Sequence, residues 1–197
     1  MKKIFLFLII LTFSITSVIF AGNNSTNYVE KLIKTKTSQI LAVIKSVKYT
    51  EKEKKDKIFK IAEPLFDFNI MSKLTLGKKY WPKLNGNQKK KFLELFKKRI
   101  RMVYLDRINI SDVTVKYNSP KAKGDKFIYM PAVFNTKGKD YHVLFKFWKS
   151  PAGWLVYDLE VEGVSIVRTY RSQFYHILKN GTIDTLLKKL SDTESAQ

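Results

Sequence analysis

The sequence predicts an α+β fold, with an antiparallel β-meander packed against a helical layer. Three observations carry this. Apolar residues recur at helical spacing from Tyr28 to Ile108, and then alternate in short runs between Ile110 and Glu162. The stretch Gly153–Phe174 changes period in its middle: Leu155, Tyr157, Leu159 and Val161 alternate, whereas Val164, Val167, Tyr170, Phe174 and Ile177 fall on one helical face. A strand therefore passes directly into an amphipathic helix, and Gly163 supplies the backbone freedom for the corner.

The elements follow in order. Met1-Lys2-Lys3 is a short positive region and Ile4–Phe20 an apolar run, with small Ala21 before the polar segment Gly22–Asn27. That layout is a secretory signal peptide, residues 1–21, cleaved near Ala21, which marks the chain for export. Its alternative is an uncleaved anchor, because the run is near the lower limit for spanning a bilayer. Tyr28–Lys48 reads as a helix with Val29, Leu32, Ile33, Ile40, Leu41, Ile44 and Val47 on one face. Thr50 and Glu53 form a capping-box pattern for the next helix, which runs to about Ala62. Pro64 opens a short helical piece that Gly77 closes. Asn85-Gly86-Asn87 is a turn, with Asn87 the expected N-cap of a helix from Gln88 to Ile108.

Four strands are expected at Ile110–Tyr117, Lys126–Phe134, Tyr141–Trp148 and Leu155–Glu162, with hairpin-like turns at Asn135–Asp140 and Ser150–Gly153. Pro131 implies that its strand is an edge or carries a bulge. Val164–Lys179, ended by Asn180-Gly181, and Ile183–Leu190 are the last helices. Residues 22–190 thus form a single domain, and residues 191–197 a polar tail.

The formal net charge is +20. Nucleic acid is nonetheless a poor fit as partner: the leader argues against it, and arginine, which forms the bidentate forks of phosphate and base recognition, is far outnumbered by lysine. Helix 88–108 carries Lys89, Lys90, Lys91, Lys97, Lys98 and Arg101 opposite its apolar face, either a solvated face or a docking surface. The chain has no cysteine, so disulfides and thiolate chemistry are excluded. The two histidines, His142 and His176, form no metal or catalytic motif, and Asp67, Asp106 and Asp158 read as ion-pair or capping residues. No enzyme and no cofactor is predicted.

What stands out is the supply of large apolar residues. Tyr129, Val133, Val143, Phe145, Phe147, Leu155, Tyr157 and Leu159 can line one sheet face, and Phe68, Met71, Trp81, Tyr104, Val164, Val167, Tyr170 and Phe174 belong to helices. Composition leaves open whether they fill a solid core or wall a cavity.

Three blocks carry a resemblance: Trp154-Leu155-Val156-Tyr157-Asp158, Glu162-Gly163-Val164-Ser165-Ile166-Val167 and Tyr170-Arg171-Ser172-Gln173-Phe174. Phe66-Asp67-Phe68, Met71-Ser72, Leu76-Gly77, Trp81, Gln88, Phe92, Phe96 and Tyr104 agree in order and spacing. The chain resembles the MlaC family of periplasmic lipid-binding proteins, also called toluene-tolerance auxiliary proteins. Lys73 departs from the Arg usual after Met-Ser. The resemblance implies that sheet and helices enclose an apolar lipid cavity with phospholipid as the ligand. It further implies a monomeric carrier between an outer-membrane lipoprotein–porin complex and an inner-membrane ABC transporter with a ring-forming substrate-binding subunit, maintaining outer-membrane lipid asymmetry. The expected wall is Phe68, Trp81, Tyr104, Tyr129, Val143, Phe145, Phe147, Leu159, Val164, Val167, Tyr170 and Phe174, with Lys73, Arg168 and Arg171 at a headgroup rim. Another apolar ligand, a hydrocarbon or isoprenoid, is the alternative cargo.

Overall fold

The computed structural model describes residues 18–106 and 112–195. The predicted leader therefore lies outside the described residues except for its end, which opens helix α1 (Val18–Lys45). Helix α2 (Glu51–Ala62) starts as the sequence predicts. Thr50 N–H donates to Glu53 Oε2 at 2.8 Å, and Glu53 N–H donates to Thr50 Oγ1 at 3.3 Å. A 3₁₀ turn with Pro64 near its start leads to α3 (Phe68–Tyr80), capped by Asp67, whose Oδ1 accepts from Ile70 N–H at 3.0 Å. The other Asp67 oxygen accepts from Trp148 Nε1 at 3.0 Å, tying the start of α3 to the sheet. Gly77 breaks α3 with φ +64° and ψ −178°, a conformation that glycine alone adopts readily.

Helix α4 (Gly86–Arg101) is capped by Asn85, not by Asn87. Gln88 stands three residues after Asn85 and returns the bond to its N–H at 3.1 Å, so the reciprocal pair fixes the start two residues earlier. A π-helical turn, Met102–Asp106, continues α4. The remaining predicted helical residues Arg107 and Ile108 lie outside the described residues.

The sheet contains β1 (Val113–Tyr117), β2 (Lys121–Lys123), β3 (Phe127–Thr136), β4 (Lys139–Ser150), β5 (Gly153–Val161) and β6 (Val164–Ser165), all antiparallel. Their order is β1-β3-β4-β5-β6, with β2 beside β3 on the same side as β1. The expectation that Pro131 marks an edge strand or bulge is corrected: β3 is interior. Pro131 accepts from Asn118 N–H at the break between β1 and β2, so its missing donor falls where no partner strand needs one. Lys137-Gly138 closes the β3–β4 hairpin and Glu162-Gly163 the β5–β6 hairpin, all four residues with positive φ.

Helix α5 (Ile166–Lys179) begins only after β6, because Val164 and Ser165 pair with Val161 and Glu160 before the chain turns helical. Helix α6 (Ile183–Ser195) extends through most of the segment read as a polar tail.

Two apolar clusters hold the layers together. In one, α3 to α6 pack an aromatic centre: Phe92 and Phe96 are stacked with ring centres 5.8 Å apart, and Phe174 and Tyr170 meet them edge-on. In the other, Val29 and Ile33 of α1 and Leu65 cover Ile128, Met130, Phe147 and Val156 of the sheet. Phe66 packs against both.

Candidate functional site

The sheet register decides which apolar residues face the helices. Opposite one another on the helix-facing side are Ile128 and Phe147, Met130 and Phe145, Ala132 and Val143, and Phe134 and Tyr141. Tyr129 pairs with Lys146 and Val133 with His142, so both belong to the outer face. The expectation that Tyr129 shares a wall with Phe145 is therefore corrected by one residue of register. On that outer face its hydroxyl lies 3.1 Å from the Tyr157 hydroxyl.

Strand β5 adds a bulge. Phe147 opposes Val156, but the preceding residue Lys146 opposes Asp158, leaving Tyr157 as the extra residue. The bulge brings Val156 and Leu159 onto the same inner face although they are three apart. A simple alternation cannot do this.

The inner face then divides into two zones. Ile128, Met130, Phe147 and Val156 are sealed beneath α1. Beyond them, Phe134, Tyr141, Val143, Phe145, Leu159 and Val161 continue the same apolar face but are only half-buried. The neighbouring strand extends this zone with Val113 and Val115. Among the described residues, α2 packs chiefly on α1, the turn that follows α2 and the π-helical turn, with no strand among its principal neighbours. The helical and sheet layers are thus closely joined at one end and less fully joined at the other.

The predicted wall residues fall into separate settings. Val143, Phe145 and Leu159 lie in the half-buried zone, and Tyr104 packs from the π-helical turn against the same helical cluster as Leu159. Phe147 is fully buried in the sheet cluster, and Phe68, Val167, Tyr170 and Phe174 are buried in the helical one, filling space against other side chains. Trp81 is half-buried at a 3₁₀ turn with Lys89 Nζ 5.5 Å from its ring centre. Val164 pairs with Val161 at the edge of the inner face and is 59% exposed there. Phe134, Tyr141 and Val161 share this half-buried inner face and are not among the predicted wall residues. The signal was present for the first two: Phe134 continues the Ile128, Met130, Ala132 frame, and Tyr141 begins the Val143, Phe145, Phe147 frame.

The expected rim residues cluster only in part. Arg168 and Arg171 both border a groove of about 350 Å³ between α3 and α5, and Arg168 pairs with Glu160 at 3.2 Å. Lys73 is exposed on α3 and does not border that groove. A second depression, about 610 Å³, lies between the start of α3, α4 and the β4–β5 hairpin, lined by Phe66, Phe68, Leu93, Trp148 and Leu155 among others.

Polar groups within the interior are few. Arg99 Nη1 is buried without a hydrogen-bond partner among the described residues. Burial pushes the Tyr170 phenol above the ordinary tyrosine range, against a smaller downward pull from Arg99. Tyr104 is likewise raised, first by burial and then by Tyr170. Several cations of the α4 stripe are already engaged: Lys97 pairs with Glu63 at 2.7 Å, and Arg101 pairs with Asp56. Among the described residues no group of three or more His, Cys, Asp or Glu side chains is placed to hold a metal, and no helix is long and apolar enough to cross a membrane.

The family model for the MlaC protein matches residues 34–192, from α1 through α6. This chain belongs to the MlaC family. Among solved structures, the phospholipid-binding protein from Ralstonia solanacearum, in complex with a phospholipid, superposes with a TM-score of 0.73. It shares 25% identity, over 82% of this chain and 94% of that one. No curated protein sequence matches. MlaC-family membership thus rests on residues 34–192 of the 197, including the β5–α5 segment that gives the clearest sequence signal.

Proposed function

We propose that this protein is a periplasmic phospholipid carrier whose acyl-chain site is the half-buried inner face of the sheet. The observation that carries the reading is the row Phe134, Tyr141, Val143, Phe145, Leu159 and Val161, which faces the helical layer without being sealed by it. MlaC-family membership and the phospholipid complex of the solved relative support the choice of ligand. A binding role also fits a site whose lining is apolar.

The energetics require such a carrier. At about 0.8 kcal/mol per methylene, two acyl chains of roughly 30 carbons cost on the order of 25 kcal/mol to expose to water. The protein must replace nearly all of that burial while in transit. In this reading Phe145, Val143 and Leu159 touch the chains, and Tyr104 closes the space from the helical side. Arg99, whose Nη1 is buried without a hydrogen-bond partner among the described residues and which lies beside the Tyr170 phenol, is the candidate to meet an ester or phosphate oxygen. Release requires the layers to separate, and the α1–α2 end, where α2 does not rest chiefly on the sheet, is the part that moves. The proposed route joins an outer-membrane lipoprotein–porin complex and an inner-membrane ABC transporter with a ring-forming subunit, and serves outer-membrane lipid asymmetry.

Reloading of delipidated protein with labelled phospholipid tests the placement. Val143→Trp fills the inner-face zone and should cut uptake by at least ~10-fold, whereas Leu155→Trp, which fills the 610 Å³ depression, should leave uptake unchanged. The opposite pattern would move the site to that depression.

A further inference from the structure

The groove between α3 and α5 holds two cations whose positions are defined by the side chains and backbone around them. Its lining is Thr75, Leu76, Gly77, Lys79, Tyr80, Arg168, Arg171, Ser172, Tyr175 and Leu178, and it includes no carboxylate. Lys97 and Arg101 on α4 are neutralised by Glu63 and Asp56, but Lys79 and Arg171 have no ion-pair partner among the described residues. Their positions are nevertheless fixed. Tyr80 of α3 and Tyr175 of α5 meet edge-on with ring centres 6.3 Å apart, and Lys79 Nζ lies 5.2 Å and 5.7 Å from the two rings. The Arg171 guanidinium is held against Gly77 so closely that a Cβ there would stand 3.1 Å from Nη2. The break in α3 at Gly77 is what admits it.

We propose that this groove is a docking site for a carboxylate-bearing segment of a partner protein. Two ordered cations without an anion supply charge complementarity to Asp, Glu or a chain terminus, and Arg168 at the groove's edge is already paired with Glu160. The phenol rings give a floor on which a peptide backbone or small apolar side chain can rest; Tyr175 is 45% exposed. A concavity of about 350 Å³ between two helices suits an inserted chain segment, whereas a membrane plane would favour cations on a convex face. The groove runs beside the α5 face that carries Val167, Tyr170 and Phe174, and Leu76, Tyr80 and Leu178 are shared between its floor and the helical cluster. The inference goes beyond lipid binding and does not depend on it.

Fluorescence anisotropy with fluorescein-labelled hexaglutamate tests it. Lys79→Glu with Arg171→Glu should weaken binding by at least ~10-fold, whereas the equal charge reversal Lys121→Glu with Lys123→Glu on β2 should change it less than ~3-fold. Hexaglutamine should not bind. Equal losses in the two double variants would show diffuse attraction to a cationic protein and overturn the proposal. So would no binding to the unmodified protein, or loss of binding to phosphatidylglycerol vesicles with peptide binding intact. If the double reversal does not fold, Arg171→Gln replaces it, and an unchanged affinity in that variant overturns the proposal.

Discussion

Asp158 Oδ1 accepts a hydrogen bond from Val167 N–H at 3.1 Å, so a carboxylate in β5 closes the amino end of α5. Its second oxygen accepts from Ser165 Oγ at 2.8 Å and pairs with Lys146 Nζ at 3.3 Å. Lys146 in turn binds Glu160, and burial of the ammonium is outweighed by these two carboxylates, leaving its proton held more tightly than usual. Asp158 is thus the joint between the sheet and the helix that supplies Val167, Tyr170 and Phe174 to the core. Asp158→Ala should cost about 2–4 kcal/mol, combining a lost cap with a partly stranded Lys146. Urea unfolding measures it, and a loss below about 1 kcal/mol would show that the joint is incidental.

Phe145 and Phe147 are two residues apart on the same face but differ in burial, Phe147 being fully buried. Phe147→Ala should cost about 3–5 kcal/mol, and Phe145→Ala about 1 kcal/mol with a marked loss of bound lipid. Equal stability losses would mean that the inner face is one sealed core.

Val167 is buried at the first turn of α5, directly above Asp158. Overpacking there makes Val167→Trp a stability variant, with an expected cost of about 1–3 kcal/mol in urea unfolding. The sequence alone places Val167 on a lipid wall.

Gly77 combines φ +64° with the close guanidinium of Arg171. Gly77→Ala should lower stability by about 1–3 kcal/mol through backbone strain. If Arg171→Ala is added, only the steric part should be relieved, so a double variant as stable as the unmodified protein would contradict the backbone account.

Tyr104, Tyr157 and Tyr170 all hold their phenol protons more tightly than a free tyrosine, each chiefly because burial penalises the phenolate. Tyr157 is further raised by the Tyr129 hydroxyl. Folded-state values above the unfolded ones mean that the unfolded chain loses protons first. The contribution to stability is therefore complete below pH 10, the ordinary tyrosine value, and is lost as pH rises through the folded-state values. Unfolding midpoints measured on either side of pH 10 should fall with rising pH, less steeply in Tyr157→Phe.

Local signals in the sequence translated well into structure. The Thr50–Glu53 capping box and the β4–β5 turn depend on residues a few positions apart and form as read, whereas Gly163 turns the chain into β6 before α5 begins and does not pass it directly from strand to helix. The sheet face was harder. In β3 the frames Tyr129, Val133 and Ile128, Met130, Ala132 are both apolar, and only the covering α1 residues Val29 and Ile33 select the second. The bulge at Tyr157 depends on pairing with β4, which local composition does not encode. Cavity and core could not be separated for the same reason: Phe145 and Phe147 are the same residue type in the same frame, and only the position of α1 distinguishes them.

Mass spectrometry of an organic extract from protein purified without detergent tests the carrier reading most directly. The account predicts diacyl phospholipid at about one molecule per chain in the unmodified protein, reduced at least ~10-fold in folded Val143→Trp. A folded protein that carries no phospholipid, and takes up none when offered labelled lipid, would contradict it.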